Sequence, residues 1–407
     1  MRSYRQVRAV EMFEKFSENR NGPLKGFVIV EIAGIGPAPF CGMVLADLGA
    51  TVIRVDRVSA VSGSSIDKSD KVSKTNKTDI LNRNKYSIGV DLKSTKAVEI
   101  VLKLCEAADG FLEGFRPGVA EKLGIGPKNC LSRNPRLVYG RMTGWGQEGP
   151  MAPWAGHDIN YIALSGVLSG IGRSEGPPVP PMNLLGDFGG GGMYLAMGML
   201  AGMLNAQKSN QGQIVDAAMV DGAAILASMI FGMKALGFWT DKKGENLLDT
   251  GAHFYEVYET KDGQYISVGA IEPQFYAEFI RLGEIDDPEF NNQWDRNNWP
   301  NLKEKLKKKF LTKTLNEWVD LYKGSDACVA PVLTMEGAHE NEHIKFRKTY
   351  VEVEGVLQPA PGPRFSETSL SNPTPPAMPG VHTKEVLAAM NYSENDLNDL
   401  FGQGIVK

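Results

Sequence analysis

The segment Ala155–Tyr161 contains the side chains best suited to chemistry, because His157 and Asp158 lie directly before an apolar stretch of helical character. At a helix N-terminus, free backbone N–H groups and the helix dipole stabilise negative charge. A base beside an anion-stabilising pocket is what removal of a proton next to a carbonyl group requires. The segment therefore predicts a proton-transfer site, with a structural histidine at a helix start as the alternative.

A second motif, Gly34–Pro39, begins like the glycine-rich loop of dinucleotide-binding proteins. It follows a strand-like run, and Asp56 ends the next such run, where a ribose-binding acid would stand. However, Pro39 occupies the position of the third glycine, and prolines lack the N–H groups that would bind a pyrophosphate. The motif therefore favours a Rossmann-like architecture without a nicotinamide or flavin site.

The first part of the chain alternates apolar strands with helical segments, which is typical of an α/β domain with a parallel sheet. Strands are predicted at residues 27–33, 51–57, 86–92, 110–114 and 137–142, and helices at 40–48 and 94–108. Residues 58–85 are polar and predict a surface loop, in which Arg83 and Lys85 are basic candidates for ligand binding. Further on, the glycines at 189–192 precede a predicted buried helix, and residues 217–236 predict one long apolar helix.

The composition changes after about residue 238, which predicts a second, smaller α+β domain. Two alternating strands, 255–260 and 264–268, flank Asp262 and Gly263, a combination typical of a β-hairpin. The expected organisation is an N-terminal extension (residues 1–22), a large Rossmann-like domain (23–232 and 345–407) and a small α+β domain (233–344). A proline-rich extended segment and a helix at about 384–390 complete the large domain.

Bulk properties exclude several classes of protein. The 407-residue chain has a net charge of −4, which makes nucleic acid an unfavourable partner. No apolar run is long enough for a transmembrane helix, so membrane insertion is not expected. The four cysteines form no CxxC pair and predict reduced thiols, no metal site and an intracellular protein. We expect a cytoplasmic location in a bacterium, with mitochondria or peroxisomes as the alternatives in a eukaryote.

Several separated stretches resemble one family, the CaiB/BaiF family of class III CoA-transferases. The stretches are Pro39–Ala50, Val52–Arg57, Ala155–Val167, Asn183–Gly192 and Val268–Phe275. The resemblance implies an interlocked homodimer in which each subunit has a Rossmann-like large domain and a small domain. It also implies an acyl-CoA thioester substrate, whose CoA is part of the substrate and not a cofactor, and an active site between the subunits.

The resemblance further implies catalytic roles for four residues. His157 and Asp187 match acid/base groups, Glu272 matches a carboxylate that supports the histidine, and Asp158 matches the aspartate that forms a covalent anhydride in the transferases. The transferases commonly have Gly-Tyr-Asp where this chain has Gly156-His157-Asp158. The added histidine favours the branch that interconverts (R)- and (S)-2-methylacyl-CoA by 1,1-proton transfer through an enolate, with the backbone N–H of Asp158 as the oxyanion donor.

Further positions match the family's CoA-binding residues. They are Arg57, Val90, Asp91, Leu92, Lys93, Gly156, Ile159, Asn160 and Tyr161. No metal, nicotinamide or flavin is expected. The alternatives are a CoA-transferase with Asp158 as nucleophile and a non-catalytic acyl-CoA-binding protein. Individual residues also have structural alternatives, with Asp187 as a helix N-cap, Glu272 as a surface carboxylate and Arg57 in a surface ion pair.

Overall fold

The computed structural model describes residues 12–61 and 77–407. Residues 1–11 of the predicted N-terminal extension and 62–76 of the predicted surface loop therefore lie outside the described residues. Contacts between Cα atoms divide the chain into two compact units. Unit 1 comprises Met1–Ser165, Met182–Leu226 and Lys348–Lys407, and unit 2 comprises Gly166–Pro181 and Ala227–Arg347. Residues 166–181, which the predicted large domain included, belong to unit 2, where the Lys243 ammonium bonds the backbone carbonyl of Ser174 at 3.0 Å.

Unit 1 is an α/β fold built on a parallel sheet. Its elements are α1 (Glu14–Ser17), β1 (Val28–Ile32), α2 (Pro37–Asp47), β2 (Thr51–Arg57), β3 (Lys85–Val90), α3 (Thr95–Ala107), β4 (Gly110–Glu113), α4 (Val119–Lys122), α5 (Pro127–Arg133), β5 (Val138–Thr143), α6 (Asp158–Leu164), a π-helix (Leu184–Met193), α7 (Tyr194–Ser209), β6 (Gln213–Ala218) and α8 (Met219–Leu226). A hairpin of β10 (Tyr350–Val353) and β11 (Val356–Pro359) and the helices α15 (Thr383–Ala389) and α16 (Glu394–Gly402) complete it.

The six strands of the main sheet lie in the order β3-β2-β1-β4-β5-β6, and all pairs are parallel. Strands β1 to β5 are almost wholly buried, as expected for a sheet covered by helices on both faces. The strand order reverses between β1 and β4, and ligands of such sheets bind at the carboxyl ends of the strands beside this switch point. The predicted Rossmann-like fold is thus confirmed.

A 3₁₀ turn (Leu168–Gly170) lies in the first segment of unit 2. From residue 227 onward, unit 2 contains a three-stranded antiparallel sheet and seven helical elements. They are α9 (Ser228–Ala235), β7 (Tyr255–Glu259), β8 (Tyr265–Gly269), α10 (Pro273–Leu282), a 3₁₀ turn (Pro288–Asn291), α11 (Trp299–Phe310), α12 (Leu315–Tyr322), β9 (Val329–Pro331), α13 (Met335–Glu340) and α14 (Glu342–Arg347). The predicted hairpin forms between β7 and β8, and Gly263 supplies the positive φ of 72° that its turn requires. Aromatic rings fill the core, with Tyr258 stacked on Phe310 at 4.9 Å between ring centroids.

Three predicted elements differ from the structure. Helix α2 begins at Pro37 rather than at residue 40, because proline fits the first turn of a helix. The predicted long helix 217–236 is two helices, α8 and α9, which belong to different units and are separated at Ala227. The predicted helix after the glycine run is preceded by the ten-residue π-helix, so Asp187 lies inside a helical segment and not at its N-cap.

The core of unit 2 contains a histidine that should make stability depend on pH. His253 is 0% exposed, and burial, reinforced by Lys303, lowers its pKa from 6.5 to about 3. Between pH 6.5 and pH 3, His253 binds a proton in the unfolded chain but not in the folded protein. The free energy of unfolding should therefore fall as pH decreases through this range. This contribution is at most about 1.4 kcal/mol per pH unit.

Urea unfolding at pH 7 and pH 5, followed by tryptophan fluorescence, measures this effect. We expect His253→Gln to be less stable than the wild type at pH 7, because the Nε2 contact to the Tyr276 hydroxyl at 2.8 Å is disturbed. Its loss of stability between pH 7 and pH 5 should nevertheless be smaller than that of the wild type. An equal loss in both proteins would contradict the assignment.

Among the described residues, no helix is both long enough and apolar enough to cross a bilayer.

Candidate active site

His157 is the residue immediately before helix α6, in an extended conformation with φ −132° and ψ 171°. Its backbone N–H donates to the Asn160 side chain at 3.0 Å, and its carbonyl accepts the N–H of Asn160 at 2.8 Å. These bonds fix the start of the helix and leave the imidazole exposed. The helix begins at Asp158, whose N–H lies in the first turn, where backbone donors have no acceptor within the helix.

Tyr161 anchors the first turn of α6 against the preceding loop. Its ring is 6% exposed and packs edge-on against Trp145 at 4.7 Å, and its hydroxyl donates to the carbonyl of Gly156. A Cβ atom at Gly156 would lie 2.7 Å from this ring, so the close approach requires glycine. The structure therefore gives Gly156 and Tyr161 a positioning role in the loop, whereas Ile159 and Asn160 are exposed beside His157.

Asp187 lies in the π-helix and is half-buried. Its carboxylate accepts a hydrogen bond from the Asn183 amide at 3.0 Å. A Cβ atom built on Gly36 would lie 3.7 Å from Asp187 Oδ2, so this carboxylate lies against the loop between β1 and α2. The next residue, Phe188, packs on Phe40 of α2 with ring centroids 4.8 Å apart. Asp187 thus lies at the switch point of the sheet, where such folds bind ligands.

The carboxylate of Asp158 connects α6 to the π-helix. Oδ1 accepts the backbone N–H groups of Gly186 at 2.6 Å and of Asp187 at 2.7 Å, and the residue is 5% exposed. Burial raises the pKa of Asp158, while the two N–H donors oppose that shift and the nearby negative charge of Asp187 adds to it. The structure thereby brings together three of the predicted catalytic residues, His157, Asp158 and Asp187.

Glycines let the π-helix pack closely on α8. A Cβ atom at Gly222 would lie 1.8 Å from the carbonyl oxygen of Gly190, which is backbone that cannot move aside cheaply. Gly232 is also helical, but a Cβ atom there meets nothing within 4 Å.

These two glycines form a matched pair of tests. We expect Gly222→Ala to lower the free energy of unfolding by about 1–3 kcal/mol or more, because the added methyl forces the backbone apart. Gly232→Ala should be neutral or stabilising by up to about 1 kcal/mol, because alanine favours a helix. Urea unfolding of both variants measures the difference. Equal effects would contradict the described packing.

The structure also identifies Arg116, which the sequence analysis missed. Burial raises the pKa of the Tyr161 hydroxyl, the negative charge of Asp187 raises it further and the positive charge of Arg116 lowers it. Arg116 is exposed and follows the carboxyl end of β4. A cation in a Gly/Pro-rich loop directly after a strand, in the sequence Gly114-Phe115-Arg116-Pro117-Gly118, is the signal that could have found it.

The other predicted CoA-binding residues lie along β2 and β3. Arg57 is exposed at the carboxyl end of β2. The Val90 side chain is 1% exposed in the hydrophobic core, and Leu92 packs against that core. Asp91 Oδ1 accepts the N–H of Lys93 at 3.2 Å, which forms the turn before α3. Val90 and Leu92 therefore have structural side chains, and Arg57 and Lys93 remain exposed.

Three other charged residues have structural partners. The Lys85 side chain is 0% exposed and pairs with Glu31 at 2.8 Å. Arg83 pairs with Asp47 at 2.6 Å. These two basic candidates are therefore wrong as ligand-binding residues, because buried charges require partners within the protein. The Asp56 carboxylate likewise accepts hydrogen bonds from Arg54 at 2.7 Å and from the Ser87 hydroxyl at 2.6 Å, so it is not available to bind a ribose.

Glu272 belongs to unit 2, where it is exposed at the N-cap of α10, directly after the loop that follows β8. Its predicted support of His157 stays a prediction.

A family model described as CoA-transferase family III matches residues 24–383. The chain belongs to this family. It is 41% identical over 393 residues to the alpha-methylacyl-CoA racemase of Mus musculus, covering 94% of this chain and 97% of the relative, and the Homo sapiens protein of that name gives the same values. A crystal structure of a CAIB/BAIF family protein from Brucella suis covers 91% of this chain and 100% of its own, with a TM-score of 0.76 at 23% identity. The last comparison shows the fold alone.

Membership of CoA-transferase family III confirms the predicted resemblance. The family match includes the loop before α2, the start of α6 and the π-helix, which are the three segments that meet around Asp187.

Proposed function

We propose that the protein is a racemase that interconverts the (R)- and (S)-epimers of 2-methylacyl-CoA thioesters. The observation that supports this most strongly is the state of Asp158. A CoA-transferase needs a free nucleophilic carboxylate at this position. Here Oδ1 accepts two backbone N–H groups and Oδ2 is buried, while the exposed His157 and the half-buried Asp187 provide acid/base side chains beside it. The similarity to racemases over nearly the full length supports the same activity.

The reaction is the removal and return of one proton at C2. A thioester carbonyl acidifies the neighbouring C–H bond, because the enolate places charge on oxygen. His157 accepts that proton as the general base. The protonated Asp187 carboxyl group donates a proton to C2, and the two residues exchange roles for the opposite epimer. The backbone N–H of Asp158 is the proposed donor to the enolate oxygen.

No oxidation state changes in this sequence of steps, so the proposal uses no nicotinamide, flavin or metal. The CoA portion is substrate. Arg57, Lys93 and Arg116 are exposed cations at or after the carboxyl ends of β2, β3 and β4, and we propose that they contact its phosphates. The arginine fork is suited to bind two phosphate oxygens at once.

We also propose that the working enzyme is a homodimer. Large apolar side chains of α7 and its start are exposed at helical spacing, with Met193 at 51%, Met197 at 58% and Leu204 at 54%. Ile214 and Leu226 of unit 1 are also about half exposed, at 49% and 52%. Such apolar surface is typical of an interaction site, and the resemblance to a family of interlocked homodimers supports a second copy as its occupant. A light-scattering mass of twice 44.4 kDa would support this assignment, and a monomer would contradict it.

The activity is tested by giving the enzyme one epimer of a 2-methylacyl-CoA together with a free carboxylic acid as acceptor. We expect the opposite epimer to accumulate and no CoA to reach the acceptor acid. Transfer of CoA without epimerisation would establish the transferase alternative. Binding of the thioester with neither reaction would leave only an acyl-CoA-binding protein.

A further inference from the structure

The π-helix that contains Asp187 has an unusual beginning. Its own N-cap residue, Asn183, makes no side-chain cap to the backbone. The N–H groups of Gly186 and Asp187 instead donate to Asp158, which lies 28 and 29 residues earlier in the chain at the start of α6. A carboxylate at a helix N-terminus satisfies orphan donors and interacts favourably with the helix dipole.

The contact is specific to one carboxylate oxygen. Oδ1 accepts both N–H groups, whereas Oδ2 is buried and has no hydrogen-bond partner within residues 12–61 and 77–407. A Cβ atom on Gly186 would lie 2.5 Å from Oδ1, so a larger residue at that position would block the approach. Gly186 therefore allows the close approach of Oδ1, although Oδ2 is left without a hydrogen bond.

We propose that the Asp158 side chain is a positioning residue, which caps the π-helix from outside and thereby sets the position of Asp187. π-Helical segments are rare and are found frequently at functional sites. One of the two capped N–H groups belongs to Asp187 itself, so the cap acts directly on the residue that moves the proton. The kinetic part of this inference rests on the proposed racemase activity, and the structural part does not.

Two substitutions separate positioning from chemistry. Asp158→Asn keeps an Oδ1 acceptor of the same shape, and we expect kcat to remain within about tenfold of the wild type. Asp158→Ala removes the acceptor, and we expect kcat to fall about 10²-fold with little change in KM, since displacement of a catalytic group by about 1 Å has an effect of this size. The loss in Asp158→Ala should affect the epimer whose deuterium exchange depends on Asp187 more than the epimer that depends on His157.

Two kinetic outcomes would overturn the proposal. One is an Asp158→Asn variant as inactive as Asp158→Ala, because that result would mean that catalysis depends on the negative charge or the nucleophilicity of the Asp158 carboxylate. The other is a loss of C2 exchange in Asp158→Ala from the epimer that depends on His157, because that result would show that the substitution disturbs the start of α6 and not the π-helix.

Crystal structures of both variants provide a readout that does not need activity. The backbone of residues 184–187 should keep its place in Asp158→Asn and move in Asp158→Ala, and an unmoved backbone in Asp158→Ala would overturn the proposal.

If Asp158→Ala fails to fold, Asp158→Ser supplies a shorter acceptor, and we expect its activity to lie between those of the asparagine variant and a full loss. An Asp158→Ser variant as active as Asp158→Asn would count against the cap. A wild-type enzyme without C2 exchange would refute the proposed activity while leaving these structures as the test of the cap.

Discussion

Replacement of His157 by alanine should abolish epimerisation in both directions while leaving proton exchange at C2 in only one epimer. The imidazole serves one face of the substrate carbon, and the positioned base typically contributes about 10²–10⁴-fold to the rate. The epimer whose proton His157 removes should therefore lose exchange by that factor. The opposite epimer should still exchange its C2 proton through Asp187, with retention of configuration.

Deuterium incorporation from each pure epimer, measured by NMR in deuterated water, checks this result. His343→Ala is the matched control, because His343 is an exposed histidine of unit 2 with no assigned role. It should behave as the wild type. Mild and equal losses from both epimers in His157→Ala would show that His157 supports the fold and does not move the proton.

Replacement of Asp187 by asparagine should give the complementary pattern. Asparagine has nearly the same shape but accepts and releases no proton at C2, so the epimer that depends on Asp187 should lose exchange by about 10²–10⁴-fold. The other epimer should still exchange through His157 without inversion. Because inversion needs both groups, net racemisation should disappear in both directions, as it does in His157→Ala.

Asp221→Asn is the control for this substitution. Asp221 is an exposed carboxylate of α8, the helix that packs against the π-helix through Gly222 and Gly190. This control should retain wild-type exchange from both epimers. If Asp187→Asn lost exchange from the same epimer as His157→Ala, the two residues would serve one face, and the two-base mechanism would be wrong.

Local patterns in the sequence were sufficient to predict the alternation of strands and helices and the hairpin at Asp262–Gly263. Strand burial and turn chemistry act over a few residues, so they are visible without a structure. The start of α6 at Asp158 was visible for the same reason.

The π-helix could not be predicted, because no local propensity favours it and it depends on contacts with distant segments. The bonds from Gly186 and Asp187 to Asp158 join residues 28 and 29 positions apart, and Gly222 meets Gly190 across 32 positions. The buried pair of Lys85 and Glu31 spans 54 positions, which is why Lys85 resembled a free cation in the sequence. Arg116 was missed because only the fold places the loop after β4 beside Tyr161.

The most direct test of the two-base racemase is to incubate the wild-type protein with one epimer of a 2-methylacyl-CoA in deuterated water without an acceptor acid. Deuterium should enter C2 as optical purity falls, and almost every molecule of the newly formed epimer should contain it. Loss of optical purity with the original proton retained would contradict separate acid and base groups. Absence of both exchange and inversion would contradict the racemase itself.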